Sequence, residues 1–377
     1  MIKTLGIRGF KCFNERKDIS FRPVTILYGK NGRGKSTVSQ VLLLLGQSMR
    51  KNNSLNQLVL NDGYVSQGSF DELINKGNST KSIEFFIEAD ANESVSVTFE
   101  QFKPVERYPQ IGALVSQKIN GKETFETMSG SNDDPYDTAD SKDAISSGVV
   151  SDNVILQGLK DIIYVSAERT GPVNEVQNIY QQGDVPLNPV GKNIINVIAE
   201  QGANFIFELE QNLSYILSGA SLSIKYKQDK IELGLNSIDK GETVRPINVG
   251  FGYSYVLPVV VAAMLAKPDS LVIIENPEAH LHSGAQSRLA NFLISKSLDK
   301  KFQLLLETHS DHVINGLRIA AKNGTINPSK AIILHFSHSY DTVTPNIQEI
   351  KCDVNGNLSA FPDDFMDEWT KQLLELI

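Results

Sequence analysis

The 377-residue chain sets 36 Lys and Arg against 44 Asp and Glu, a formal net charge of −8 at pH 7, with 41% hydrophobic and 21% charged residues. This is the composition of a soluble globular protein of roughly two to three domains, and its acidity excludes a global pull toward nucleic acid or anionic membrane. Cys12 and Cys352, far apart in sequence, make neither a disulfide framework nor a zinc site. The first residues, Met-Ile-Lys-Thr-Leu-Gly, lack the long apolar core of a signal peptide. The longest apolar run, 256–266, is too short to span a bilayer and contains Pro258. A cytoplasmic protein without membrane contact is expected.

In chain order, residues 2–7 alternate apolar and polar and lead into Arg8-Gly-Phe-Lys-Cys-Phe, which reads as an edge strand and turn. Residues 24–28 form a short apolar, β-branched run, a buried strand. Gly29-Lys30-Asn31-Gly32-Arg33-Gly34-Lys35-Ser36 then fits G-x-x-x-x-G-K-[ST] without a gap, with Thr37 next and helix formers through Met49. Strand, glycine loop and helix is the context this motif needs. The glycines let successive N–H groups turn into one concavity at the positive end of a helix, a site for polyphosphate. Lys35 is positioned to reach the β- and γ-phosphates, and Ser36 or Thr37 to ligate Mg²⁺.

Residues 51–80 are polar and carry Gln67; 83–88 and 94–102 alternate as an antiparallel hairpin; 103–150, rich in Gly, Ser, Asp and Asn, read as a strand-poor insertion. A buried strand at 161–166 ends in Ala167-Glu168-Arg169-Thr170-Gly171-Pro172. Residues 173–245 read as a subdomain with a helix over 193–217 and a hairpin of 222–226 and 230–235. Gly250-Phe-Gly-Tyr-Ser254 precedes an apolar helix at 256–265. Strands are expected at 271–274, 302–307 and 331–336, helices at 289–297 and 311–323, an edge hairpin near 343–354, and an amphipathic helix over 362–377 containing Phe365, Trp369, Leu373, Leu374 and Ile377. The domain expectation is 1–102 and 246–377 as two parts of one head, 103–172 as insertion and return strand, and 173–245 as a lid.

Leu271-Val-Ile-Ile-Glu275-Asn276-Pro277-Glu278 places a carboxylate at the C-terminal tip of a parallel strand, where open α/β sheets bind ligands. Glu275 can hold Mg²⁺ there through water, and Glu278 sits in the turn beyond; alone, Glu275 reads equally as a solvated strand-end acid. Leu304-Leu-Leu-Glu307-Thr308-His309 repeats the geometry, with His309 suited to a γ-phosphate or the attacking water, or else a satisfied structural histidine. Arg169 points either to phosphate or a partner subunit, or into a surface ion pair with Glu168 or another acid.

With these residues, the chain resembles the ABC-type ATPases of the group containing RecF, the structural-maintenance-of-chromosomes proteins and the overcoming-lysogenization-defect proteins. Gly29 to Ser36 match the Walker A motif, Glu275 the Walker B acid and His309 the switch histidine. Glu275 to His282 are similar to the Glu-Glu-Pro-Glu-x-His-Leu-His of the last-named proteins. Gln67 sits where a Q-loop glutamine, a metal ligand, falls. Gly250, Gly252 and Ser254 are similar to the signature segment, which in this family binds the γ-phosphate of ATP held by a second subunit. The resemblance implies an α/β fold: an ABC-type P-loop head with a mixed core sheet, an antiparallel β subdomain, a helical insertion and no coiled coil.

Asn276 departs from the pattern, occupying the slot of the glutamate that activates water; an amide cannot accept that proton. Either Glu278 replaces it as base, with Lys35 and His309 completing catalysis, or ATP turns over slowly and acts as a dimer glue. No Toprim nuclease signature follows His309. Short ATPases of this kind are similar to ones in prokaryotic defence clusters, beside a separately encoded effector. The resemblance thus implies a slow ATPase using ATP and Mg²⁺, a homodimer around two ATP molecules and an effector partner. The alternatives are a RecF-like, ATP-dependent DNA clamp and a scaffold with a structural nucleotide.

Overall fold

The computed structural model describes residues 1–102, 111–126, 153–178, 186–337 and 344–376. Most of the expected insertion, and the end of the expected C-terminal helix at Ile377, lie outside these residues. Two compact units emerge: Met1–Arg22, Gly32–Ile162 and Phe336–Ile347 form one, and Pro23–Asn31, Ile163–His335 and Gln348–Ile377 the other.

The first unit is built on a seven-stranded sheet. Its order is Lys17–Ser20, Ile2–Arg8, Ser82–Ala89, Ser94–Phe102, Ile111–Ile119 and Gln57–Leu58, with Lys122–Glu126 pairing on Ile111–Ile119. All of these pairs are antiparallel, and alternate residues of Ser82–Ala89 are buried, as a sheet with one core face requires. The hairpin of 83–88 and 94–102 is present. Ile2–Arg8, however, lies inside the sheet, and Lys17–Ser20 takes the outer place; alternation alone does not separate the two. The expected strand-poor stretch contains Ile111–Ile119 and Lys122–Glu126, whose polar alternation belongs to a half-solvated sheet. Phe10, Phe85 and Phe99 pack in sequence, with ring centroids 5.4 and 6.3 Å apart. The helix Lys35–Asn52 also belongs to this unit. It packs on Val154–Lys160, and Gly46 is required there: a Cβ would lie 2.8 Å from Ile162 Cδ1 and 2.9 Å from the Leu159 carbonyl oxygen.

A second sheet has six strands in the order Asn346–Ile350, Ala331–Ser337, Val24–Gly29, Gln303–Thr308, Leu271–Glu275 and Ile163–Val165. Val24–Gly29, Gln303–Thr308, Leu271–Glu275 and Ile163–Val165 run parallel. Val24–Gly29 and Gln303–Thr308 are buried throughout, which is why they read as unbroken apolar runs rather than as alternation. Their register matters for function. Glu275 pairs with Glu307, Glu307 with Leu27, and Thr308 with Tyr28, so the three strands end level and release Asn276, His309 and Lys30 at one sheet edge.

The helix Phe251–Leu265 is apolar all round and buried from Val256 to Met264, a core helix despite Pro258. It starts earlier than its apolar run suggests. Its first turn needs glycine at Gly252, because a Cβ there would lie 2.9 Å from the His280 carbonyl oxygen. The helical stretch expected over 193–217 is two helices, Ile194–Ala199 and Ala203–Leu217, broken at Gly202. Ser221–Tyr226 and Lys230–Asn236 pair as expected, and Glu175–Gln177 adds a third strand. The final helix is Glu368–Glu375, shorter than its amphipathic pattern; Phe365 precedes it and is buried in its own right.

Candidate functional site

Of the expected phosphate loop, Gly29, Lys30 and Asn31 belong to the second unit and Gly32 onward to the first. Gly34 stands at φ 92°, and a Cβ there would lie 2.8 Å from Pro345 Cγ and 3.1 Å from Cys12 Sγ, so both backbone and space demand glycine. Lys30, Asn31 and Gly32 are exposed, Arg33 and Ser36 half-buried, and Lys35, first residue of the helix, is 3% exposed. No acidic residue lies in that helix's first turn, so its positive end carries no carboxylate of its own. Buried Thr37 receives a hydrogen bond from Cys12 Sγ at 3.7 Å.

Gln67, the expected Q-loop ligand, is engaged otherwise. Its amide oxygen accepts from Lys11 Nζ, which also donates to Gln40 of the phosphate-loop helix at 2.6 Å. Burial lowers the Lys11 pKa. Sequence reasoning misses Lys11; its only signal is its place in the Gly9–Phe13 turn, where it adopts φ 50°.

Across the other unit, Glu275 sits at its strand tip as expected. Its Oε2 accepts from the Ala167 N–H at 3.2 Å and its carboxyl is hydrogen-bonded by Tyr164. Burial nonetheless pushes the Glu275 pKa up, outweighing these hydrogen bonds and nearby Arg169. The folded state therefore favours protonated Glu275; the favourable contribution is complete below the ordinary glutamate pKa and is lost as pH rises through the raised value. Glu275→Gln is expected to melt above wild type at pH 8 in differential scanning calorimetry, with the gap closing below pH 4; a lower melting temperature at pH 8 would overturn this.

Arg169 is neither a surface ion pair nor directed to solvent. It is 5% exposed and donates to three backbone carbonyls: Ser166 at 3.1 Å, Glu275 at 2.8 Å and Asn276 at 2.6 Å. Burial lowers its pKa to about 10, against the pull of Glu278, Tyr255 and Glu275, so it stays a cation at neutral pH. Asn276 stands at φ 43°, in the left-handed region that asparagine tolerates better than glutamate, and its N–H donates to the Glu307 carbonyl at 2.8 Å. Asparagine is thus the residue that this backbone position suits.

Glu278 and His309 meet. Glu278 Oε1 accepts from the His309 N–H at 2.9 Å, while its Oε2 is buried with no hydrogen-bond partner. Both line a cleft of about 750 Å³ that also takes in Gly29, Lys30 and Asp311. Of the expected signature residues, Gly250 caps its helix and is exposed, and Gly252 packs on the His280 carbonyl. Ser254, 8% exposed, has its hydroxyl turned inward with no hydrogen-bond partner. Phe251 is exposed, and the Tyr255 ring lies 4.2 Å from that of His280. Among the described residues no group of three or more His, Cys, Asp or Glu is placed to hold a metal ion, and no helix is long and apolar enough to cross a membrane.

The sequence profile described as the AAA ATPase domain matches residues 1–314, most of the chain. The chain belongs to the AAA ATPase domain family. A second profile, described as a protein of unknown function (DUF3696), matches residues 326–376. No curated protein sequence matches this family member. Among solved structures it is similar to an Smc head bound to the C-winged helix domain of ScpA, at 15% identity and TM-score 0.53, covering 93% of this chain and 97% of that one. It is also similar to an Smc head domain with an extended coiled coil bound to the C-terminal domain of ScpA, derived from Pyrococcus furiosus. That match has 13% identity and TM-score 0.51 and covers 100% of this chain and 99% of that one. At such identities the likeness establishes the fold alone: an α/β P-loop head like those Smc heads, carried by an ATPase-family sequence.

Proposed function

We propose that this ATPase is a slow molecular switch. It binds ATP and Mg²⁺, pairs head to tail with a second copy around two ATP molecules, and controls a separately encoded effector, as an anti-phage defence protein would. The observation that carries this reading is the pair Asn276 and Glu278. The base slot holds an amide with its backbone in a conformation suited to asparagine, and the adjacent carboxylate has one oxygen on the His309 backbone and one buried and open. A single displaced base favours slow turnover and long-lived ATP.

The glycine loop from Gly29 to Thr37 is assigned the phosphates, and Ser36 and Glu275 are assigned Mg²⁺; these are hard oxygen donors of the kind Mg²⁺ takes beside phosphate oxygens. Gln67 joins them on release from Lys11. Bound Mg²⁺ would neutralise charge developing on the transferred phosphoryl group. Lys35 contributes the fixed cation, Glu278 takes the proton of the attacking water, and His309 orients the γ-phosphate. Gly250, Gly252 and Ser254 complete the site of the second copy, with Ser254 turning outward on pairing. A head of this fold bound to a separate protein, as in the Smc–ScpA structure, supports effector control.

Light scattering with ATP tests the reading. Glu278→Gln keeps the acceptor for the His309 N–H and removes the base, so an ATP-dependent dimer that persists while phosphate release stops is expected. Full hydrolysis in Glu278→Gln would move the base elsewhere, and a monomer with ATP would sink the sandwich. A salt-sensitive shift of duplex DNA by the ATP-bound protein would favour a DNA clamp instead.

A further inference from the structure

We propose that Asp364 is a built-in competitor of polyphosphate for Lys30, making the segment 361–367 an autoinhibitory latch on the phosphate loop. The inference rests on the nucleotide reading above. Lys30 Nζ lies 2.9 Å from Asp364 Oδ1, with side chains 57% and 45% exposed, so the pair forms in water and yields readily to another anion. Lys30 and Lys371 hold the Asp364 carboxyl below the usual carboxylate range, so it is ionised wherever ATP binding is measured.

The carboxylate is presented by a built turn. Asp364 and Met366 stand at φ 62° and 55°, left-handed for non-glycine residues. The Asp364 N–H donates to Asp367 Oδ2 at 3.1 Å, and Lys371 Nζ reaches Asp367 at 2.8 Å and Asp364 at 3.4 Å. Phe365 anchors this turn. It is 1% exposed and packs edge-on against Tyr28 at 5.0 Å and His335 at 5.4 Å. The Tyr28 hydroxyl accepts from the Met366 N–H and donates to Asp311 Oδ1 at 2.5 Å. The latch therefore touches Tyr28, which precedes Gly29 and is hydrogen-bonded to Asp311, two residues beyond His309.

The surrounding charge gives the direction of the effect. Glu278, Asp311, Asp364 and Asp367 line the cleft that contains Lys30. Asp364 is paired directly with the loop's exposed lysine, so it opposes a polyphosphate there by occupying the cation. Nucleotide entry displaces Asp364, and the displacement passes through Phe365 and Tyr28 to Asp311. The latch falls within residues 326–376, the part matched by the family of unknown function, which would give that segment a role as a brake on nucleotide binding.

Titration of a fluorescent ATP analogue at low salt into wild type, Asp364→Asn, Lys30→Ala and the double variant tests this, with Lys35→Ala as reference. Asp364→Asn keeps the turn's shape and removes only charge. It is expected to tighten binding about three- to tenfold. The gain should shrink at high salt and vanish in the Lys30→Ala background. Equal or weaker binding by Asp364→Asn, or a gain that survives Lys30→Ala, overturns the latch while loss of binding in Lys35→Ala leaves the nucleotide reading standing. Indistinguishable titrations of wild type and Lys35→Ala overturn both.

Discussion

Lys35→Ala is expected to weaken ATP binding by about a hundredfold or more while the protein stays folded, because a charge-assisted contact to polyphosphate in a low-dielectric pocket is worth several times an exposed one. Lys35 is 3% exposed at the first position of an 18-residue helix. Alanine is the best helix former, which offsets part of what the truncated side chain loses, so the variant is expected to stay folded. A large loss of affinity in a folded variant separates a binding role from a structural one. Isothermal titration with ATP and Mg²⁺ alongside calorimetric melting reads both. Unchanged affinity would remove the phosphate-loop assignment, and a collapsed melting temperature would make Lys35 a structural residue.

What is legible in the sequence follows from how locally each feature is encoded. The phosphate loop and the strand tips at Glu275 and His309 are visible because parallel, doubly buried strands are apolar runs that stop where the chain meets solvent. The parallel register that brings Asn276, His309 and Lys30 to one edge is not written in any single run. Lys11 holds Gln67 across 56 residues, and Arg169 reaches the carbonyls of Glu275 and Asn276 across 106 and 107. A hydrogen bond to a backbone carbonyl leaves no mark on the identity of the residue that accepts it, so no pattern links Arg169 to the acid strand. Phe365 reads as one face of a helix because its spacing to Trp369 and Leu373 is helical, yet it belongs to a turn that contains two left-handed residues, Asp364 and Met366. The strands within 111–126 are hidden by flanking Gly, Ser and Asn, which signal loops whether or not a paired strand lies between them.

Arg169→Ala is expected to be the most destabilising single change near the site, by about 3–5 kcal/mol, the range for breaking a buried charged network. The side chain is 5% exposed and satisfies three carbonyls, two of them on consecutive residues at the end of the acid strand. Alanine strands those oxygens in a dry environment and leaves a cavity. It also frees Asn276 to leave φ 43°, taking the Glu278 turn with it. Arg169→Lys restores the charge with a single point of donation and not the fork, so it should recover only part of the loss. Urea denaturation followed by circular dichroism measures the first effect. Phosphate release at a temperature where both variants are folded measures the second: Arg169→Lys should turn over ATP more slowly than wild type at equal nucleotide affinity, because the clamp positions the acid strand end and the turn that follows it rather than binding phosphate. A loss of affinity with turnover preserved would instead put Arg169 on the nucleotide, and a destabilisation of Arg169→Ala below about 1 kcal/mol would mean that the carbonyls find other donors.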